Sequence, residues 1–304
     1  MKPSVTLTHD ALGTRFYIEI FDEVPVSFCE RLTYDTGQLL AQFEARYSRF
    51  KSDSLVSILN RDRLLTNPDA ECIAILKYGQ TLTKRTGGRF NMLLGKTLEA
   101  RGYDPAYSFI PTMQHENEST LPDPLTDLHI TDSAITLHNG QLDLGGFGKG
   151  YVIDRLAQFL RDTYHLQYFI INGGGDIYAT SQHGEPFTIY LEHPLEAETY
   201  LGATQILNQG FAASSPHKRS WVYNNTTYHH IINTTQDSLS KQTLADASFI
   251  IADSCVEADA FATIALMLET TDLPLFAEEH TLAYATFTAP STLIHNEAFI
   301  VQTI

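Results

Sequence analysis

The chain has 304 residues, 43% of them hydrophobic, enough for one large domain or two tightly joined lobes around a sizeable core. Its formal charge of −16 speaks against nucleic acid or an anionic membrane surface as a partner. No apolar run approaches the ~20 residues of a membrane span, and the opening MKPSVTLTHDALGT has no apolar h-region, so a cytoplasmic protein is expected.

Residues 4–21 read as a hairpin, with FYIEIF alternating after a turn at Leu12-Gly13-Thr14. Residues 27–47 carry apolar positions at helical spacing. FKSDSLVSILNR is a second, shorter helical piece, with Ser52 or Asp53 as its cap. A third helix covers 69–86 and stops at Gly87-Gly88. RFNMLLGKTLEARGYDP then leads to a Pro-, Glu- and Ser-rich loop over 105–125. AITLH and QLDL read as strands around Asn139-Gly140, a two-residue hairpin signal. A helix over 149–162 turns Val152, Leu156, Phe159 and Leu160 to one face. QYFIIN is a buried strand ending in GGGD, further strands follow at 186–191 and 201–213, and EADAFATIALML is a buried helix. Strands and helices mix without βαβ alternation, so the fold class is α+β with largely antiparallel sheets. The three cysteines, Cys29, Cys72 and Cys255, are scattered and odd in number, which suits inert thiols better than a disulfide framework.

Glycine clusters at 145–150 and 173–175 bracket one helix–strand unit. Each is either a tight turn or backbone laid bare for a ligand, and a helix N-terminus after glycines suits a phosphate. A Walker loop would need Ser or Thr where Gly150 follows Lys149, and a dinucleotide fingerprint would need glycine at Tyr151, so neither motif applies. Asp259 and Thr263 stand four apart on an apolar helix and share a face. Their oxygens would suit magnesium or calcium; backbone bonding of both groups is the structural alternative. His229 and His230 are neighbours on a strand-like stretch, so they face opposite ways and only one can serve a site as general base.

Taken in order, LGT at Leu12, RFKSDSLVSILNR, GGRFN, DLGGFGKGYVID, INGGGDIY, SSPHKRSW, HHIIN and ADAFAT resemble the ApbE-type family of flavin transferases. The resemblance covers most of the chain. It implies a single ApbE-like, T-fold-like domain over 1–304, with FAD as substrate and a divalent metal, usually magnesium, with calcium or manganese as alternatives. It implies transfer of FMN from FAD to a Ser or Thr hydroxyl of an acceptor protein, with release of AMP. The acceptor would carry an Asp-Gly-x-Ser/Thr-Gly-Ala-Ser/Thr-like motif. Metal ligands would fall on Asp259, Thr263 and a backbone carbonyl of the glycine loop, that of Gly146 with Gly148 as runner-up. FAD contacts would fall on Leu12, Asn60, Arg89, Phe90, Asn91, Asp143, Lys149 and Ile231. The proposed general base would be His230, alone or relayed through Asp259.

The sequence departs from the family pattern at two points. Asn91 and Asn233 stand where the family usually has Asp, and Thr234-Thr235-Gln236-Asp237 replaces a Pro-x-Thr-Gly turn. Asn keeps hydrogen-bonding shape and loses charge. Two further readings therefore stay open: an FAD pyrophosphatase giving FMN and AMP, and a non-catalytic FAD-binding protein.

Overall fold

The structure, a computed structural model, describes residues 3–112, 121–234 and 245–303. Alternation builds the opening hairpin. β1 (Val5–Ala11) and β2 (Thr14–Ile20) pair antiparallel, with Phe16, Ile18 and Ile20 fully buried on one face. Leu12 and Gly13 both have positive φ, 53° and 70°, as a type I′ turn requires.

α1 (Val26–Tyr47) follows, then α2 (Leu55–Asp62). The cap of α2 is Ser54, not Ser52 or Asp53. Its extended backbone turns the hydroxyl onto the Ser57 N–H at 3.0 Å. β3 (Leu64–Thr66) leads to α3 (Ala70–Arg85), capped by Asp69 and closed where the Gly88 N–H reaches back to Thr83 O. α4 (Gly95–Ala100) is too short to show a period and was not anticipated.

β4 (Leu128–Ile130) and β5 (Ala134–Leu137) come next. The hairpin expected across Asn139-Gly140 is not formed. Both edges of β5 are taken, by β3 and β4, so QLDL cannot fold back on it. It runs instead beside Met92–Leu94, with Gln141 N–H on Leu93 O and Asp143 N–H on Met92 O.

α5 (Gly148–Tyr164), β6 (Tyr168–Gly173), β7 (Ile177–Ser181) and β8 (Phe187–Glu192) follow. The strand expected over 201–213 is two, β9 (Tyr200–Ile206) and β10 (Gln209–Ser214), parted where Asn208 takes a φ of 55°. Asn tolerates that left-handed conformation better than most residues. Next are β11 (Ser220–Tyr223), β12 (Thr226–His229), β13 (Ala247–Ala252), α6 (Cys255–Ala265), α7 (Leu273–His280), β14 (Ala283–Thr288) and β15 (Thr292–His295).

The chain divides into two compact units. The first comprises Met1–Glu44, Phe147–His217 and Leu244–Ile304. Its eight-stranded sheet runs β1-β2-β6-β7-β10-β13-β14-β15, antiparallel throughout. β13 lies inside that order and is buried at every position, which explains the unbroken apolar run ASFIIA. Phe249 and Ile251 join Phe211, Phe287 and Phe299 in a core shared with Ile189 and Leu191 of β8. The intervening Ser248 points the other way and bonds Ala262 O of α6. Each buried apolar side chain of that core contributes roughly 1.5–3 kcal/mol of transfer free energy. α5 and α6 touch closely at Gly150, where a Cβ would stand 2.5 Å from Cys255 O. That glycine is therefore required by helix packing, whatever binds nearby.

The second unit comprises Ala45–Gly146 and Lys218–Thr243. It contains the three-stranded sheet β3-β5-β4, the ribbon β11–β12 and helices α2 to α4. Val56 and Leu59 of α2, Ile75 and Leu82 of α3, and Ile135 and Leu137 of β5 are buried in it. Trp221 of β11 stacks on Tyr228 of β12 and on Tyr103, and its Nε1–H donates to Arg101 O.

Candidate functional site

In the first unit the site grows from the N-terminus of α5. Lys149 is its second residue, and its ammonium pairs with the Asp176 carboxylate. On its other side Asp259 Oδ1 lies 3.6 Å away. The two carboxylates are 4% and 5% exposed, and Lys149 is 21% exposed. Asp259 Oδ2 accepts the Gly150 N–H at 3.0 Å, so α5 holds α6 through a buried carboxylate. Two buried carboxylates thus face one ammonium, and buried charges of this kind need close partners. One turn along α6, Thr263 Oγ1 sits 3.2 Å from Ser214 Oγ. It thus reaches β10 across from its own helix. Carboxylate and hydroxyl oxygens on one helical face suit a divalent cation of the magnesium type. Among the described residues no three His, Cys, Asp or Glu side chains gather as a metal cluster, so other ligands would have to come from hydroxyl, backbone or substrate oxygens.

Asp154, one turn into α5, holds the start of α6. Its two oxygens accept the N–H groups of Cys255 and Val256, each at 2.9 Å. Burial pushes this carboxyl up to about 6, against the pull of those two donors. Leu12 lies in the β1–β2 turn with a left-handed backbone, a strained state for leucine.

In the second unit Asn60 engages both ends of its amide with Leu142: Nδ2 donates to the carbonyl at 2.9 Å, and Oδ1 accepts the N–H at 2.7 Å. That pins the chain just before the glycine loop. Asp143 is held by Arg49 and accepts the Gly145 N–H. Arg49 is 2% exposed and also reaches Glu99 at 3.2 Å and Tyr103 O at 2.7 Å. Gly146 lies against Phe90, whose ring would be 3.3 Å from a Cβ placed there. Asn91 Oδ1 accepts the Leu93 N–H, and Nδ2 donates to Pro122 O at 2.7 Å. Arg89 sits just after α3, and its carbonyl, like that of Gly88, accepts from Thr234 Oγ1 at 3.1 Å. Thr234 thus docks the altered loop onto the GGRFN segment; Thr235, Gln236 and Asp237 lie outside the described residues. Ile231 is buried, and its carbonyl accepts from Arg101 at 3.4 Å. A cavity of about 460 Å³ has Asn60, Arg63, Lys96, Glu99, Thr112 and Gln141 in its wall.

β12 ends at His229, whose partner is Ser220. His230 lies just beyond it, in a bend, with Nδ1 3.4 Å from Arg219 O and its ring 6.4 Å from that of Tyr103. Strand alternation, used in the sequence to set the two histidines on opposite faces, therefore stops one residue short of His230.

Within the first unit the fold brings Lys149 to Asp259, with Thr263 one turn further along α6; within the second it brings Phe90 to Gly146. Sequence reasoning missed Asp176, Arg49 and Asp154 as supports of these groups. Asp176 stands in the GGGD stretch, Arg49 opens RFKSDSLVSILNR, and Asp154 closes DLGGFGKGYVID, so each lay inside a segment already singled out.

The ApbE family model matches residues 12–287. A Haemophilus influenzae protein named FAD:protein FMN transferase is 22% identical over 298 residues, spanning 92% of this chain and 85% of its own length. A Treponema pallidum protein of the same name is 23% identical over 281 residues, spanning 84% and 76%. Among solved structures, the ApbE protein of Thermotoga maritima superposes with a TM-score of 0.84 at 19% identity, covering 97% of each chain. The apo form of the flavinyl transferase ApbE from Pseudomonas stutzeri gives 0.82 at 18% identity, covering 97% of this chain and 95% of its own. These structural likenesses confirm the mixed, largely antiparallel α+β fold.

Proposed function

Because the chain belongs to the ApbE family, we propose that it is a FAD:protein FMN transferase, moving FMN from FAD onto a Ser or Thr hydroxyl of an acceptor protein and releasing AMP. On this reading residues 1–304 act as one flavin-transferase domain. The observation that carries it is the buried Asp176–Lys149–Asp259 group at the head of α5, directly after the glycine loop. A lysine there meets the charge of a diphosphate, and the N-terminus of α5 adds its dipole. In the second unit Arg63 and Lys96, in the cavity wall beside Asn60, suit an anionic dinucleotide.

Asp259 and Thr263 are the proposed side-chain ligands of magnesium, and Gly146 keeps its place as the carbonyl ligand on the resemblance alone. When bound, the cation supplies charge neutralisation at the diphosphate oxygens. Leu12, Asn60, Arg89, Phe90, Asn91, Asp143, Lys149 and Ile231 are the proposed FAD contacts. The acceptor oxygen bonds to the FMN-side phosphorus, the bond from that phosphorus to the bridging oxygen breaks, and AMP leaves with that oxygen. His230 takes the hydroxyl proton as the new bond forms. Asp143, fixed by Arg49, keeps the loop through Gly145 in place during the exchange.

Incubation of the protein with FAD and magnesium, with and without an acceptor carrying the Asp-Gly-x-Ser/Thr-Gly-Ala-Ser/Thr-like motif, tests the reading. Covalent FMN on the acceptor together with free AMP is expected. Free FMN and AMP without labelled acceptor would put water in the acceptor's place. Unchanged bound FAD would overturn catalysis altogether.

A further inference from the structure

We propose that Asp176 is a positioning residue: its carboxylate anchors the Lys149 ammonium and thereby keeps Asp259 available to a divalent cation. The inference rests on the reading of Asp259 and Thr263 as metal ligands. The β6–β7 turn sets the position of Asp176. Asn172 pairs with Ile177, Gly173 N–H donates to Asp176 O at 2.8 Å, and Gly175 N–H donates to Asn172 Oδ1 at 2.9 Å. Gly174 and Gly175 have φ of 78° and 103°, so the turn takes a path open to glycine. It ends with Asp176 buried and directed at Lys149.

The two carboxylates treat the lysine differently. Asp176 hydrogen-bonds the ammonium, whereas Asp259 Oδ1 stays 3.6 Å away, beyond a hydrogen bond. The other Asp259 oxygen is already fixed by the Gly150 N–H. A lysine side chain is a flexible stem with a point charge at its end, and it follows the strongest nearby anion. With the Asp176 charge removed, the carboxylate already 3.6 Å from that ammonium is Asp259. A cation approaching Asp259 would then have to displace an ammonium in a site that is 5% exposed, where charge interactions are weakly screened. Asp176 thus acts on the metal through Lys149, without touching it.

The test is manganese binding to the full chain in the absence of FAD, by calorimetry and by the electron paramagnetic resonance of free manganese. Asp176→Asn should weaken manganese binding by about 10–100-fold, the range for residues that orient metal ligands. Asp176→Glu, which keeps the charge, should bind close to wild type. Asp176→Asn combined with Lys149→Gln removes the competing ammonium and should recover most of the lost affinity. A residue that merely stabilised the fold would lower the melting temperature and leave manganese affinity unmoved. If Asp176→Asn does not fold, Asp176→Ser carries the same test: weaker manganese binding that Lys149→Gln restores supports the inference, and wild-type binding refutes it. Asp176→Asn with wild-type affinity overturns the positioning role alone. A double variant that stays weak would make Asp176 a ligand itself, which also overturns it. Wild-type protein that takes up no manganese overturns the metal reading, and this inference with it.

Discussion

Truncating Arg49 to alanine should cost the second unit about 3 kcal/mol, the low end of the ~3–5 kcal/mol for breaking a buried ion pair from one side. The guanidinium is 2% exposed and serves three acceptors: Asp143, Glu99 at 3.2 Å and Tyr103 O at 2.7 Å. It also lies 4.1 Å from the centre of the Phe50 ring. Its loss strands the Asp143 carboxylate, which is 14% exposed, while Glu99 at 31% can turn to water. Asp143 keeps the Gly145 N–H, and that residual bond is why the low end is expected. A loss of this size multiplies the unfolded fraction by more than about a hundred at 25 °C. Urea unfolding followed by tryptophan fluorescence reads it directly. Trp221, the single tryptophan of the chain, stacks on Tyr103, one of the groups Arg49 holds. Arg49→Lys should recover only part of the loss, because an ammonium cannot match the fork that meets three acceptors. Arg15→Ala, which removes an exposed pair with Asp10, is the control and should leave the transition unmoved. FAD affinity should fall with Arg49→Ala, since Asp143 braces the glycine loop. A loss below about 1 kcal/mol, the range of a surface pair, would refute the reasoning.

Asn91→Asp should destabilise the protein by roughly 1–3 kcal/mol near neutral pH, because it removes the donor to Pro122 O and sets a carboxylate against that carbonyl. The introduced acid would have its folded pKa raised above the unfolded value of ~3.9, so the native state would hold the proton more tightly. Stability should be recovered at low pH and lost as pH rises through the folded pKa; pH-independent melting of the variant relative to wild type would contradict this. His230→Ala should retain FAD binding and lose at least about tenfold in single-turnover transfer, toward the ~10²–10⁴ range for a missing general base. His229→Ala is the comparison and should change neither; a crippled His229 variant beside an unaffected His230 variant would reverse the assignment.

The sequence was enough for what depends on local pattern. The β1–β2 hairpin was legible because its alternation and Leu12-Gly13 turn are near neighbours. The helices over 69–86 and 149–162 were legible because period and stop signals lie within one segment. The Asp259/Thr263 pair and Lys149 were legible for the same reason, as spacing on one helix and position after a glycine run. Tertiary structure decided what those groups meet. Asn139-Gly140 signals a hairpin, yet β3 and β4, far apart in sequence, had already filled both edges of β5. Gly150 reads as part of a phosphate loop, yet Cys255, over a hundred residues later, requires it for helix contact. Asn60 and Asn91 enter as ligand contacts through the resemblance, and only the fold shows that their amides also hold Leu142, Leu93 and Pro122. No local pattern marks the role of Arg49; Asp143, Glu99 and Tyr103 close around it only in the fold. Hydrogen bonds and ion pairs form between whatever the folded chain brings within about 3 Å. A linear pattern carries period and turn chemistry, and it does not carry that distance.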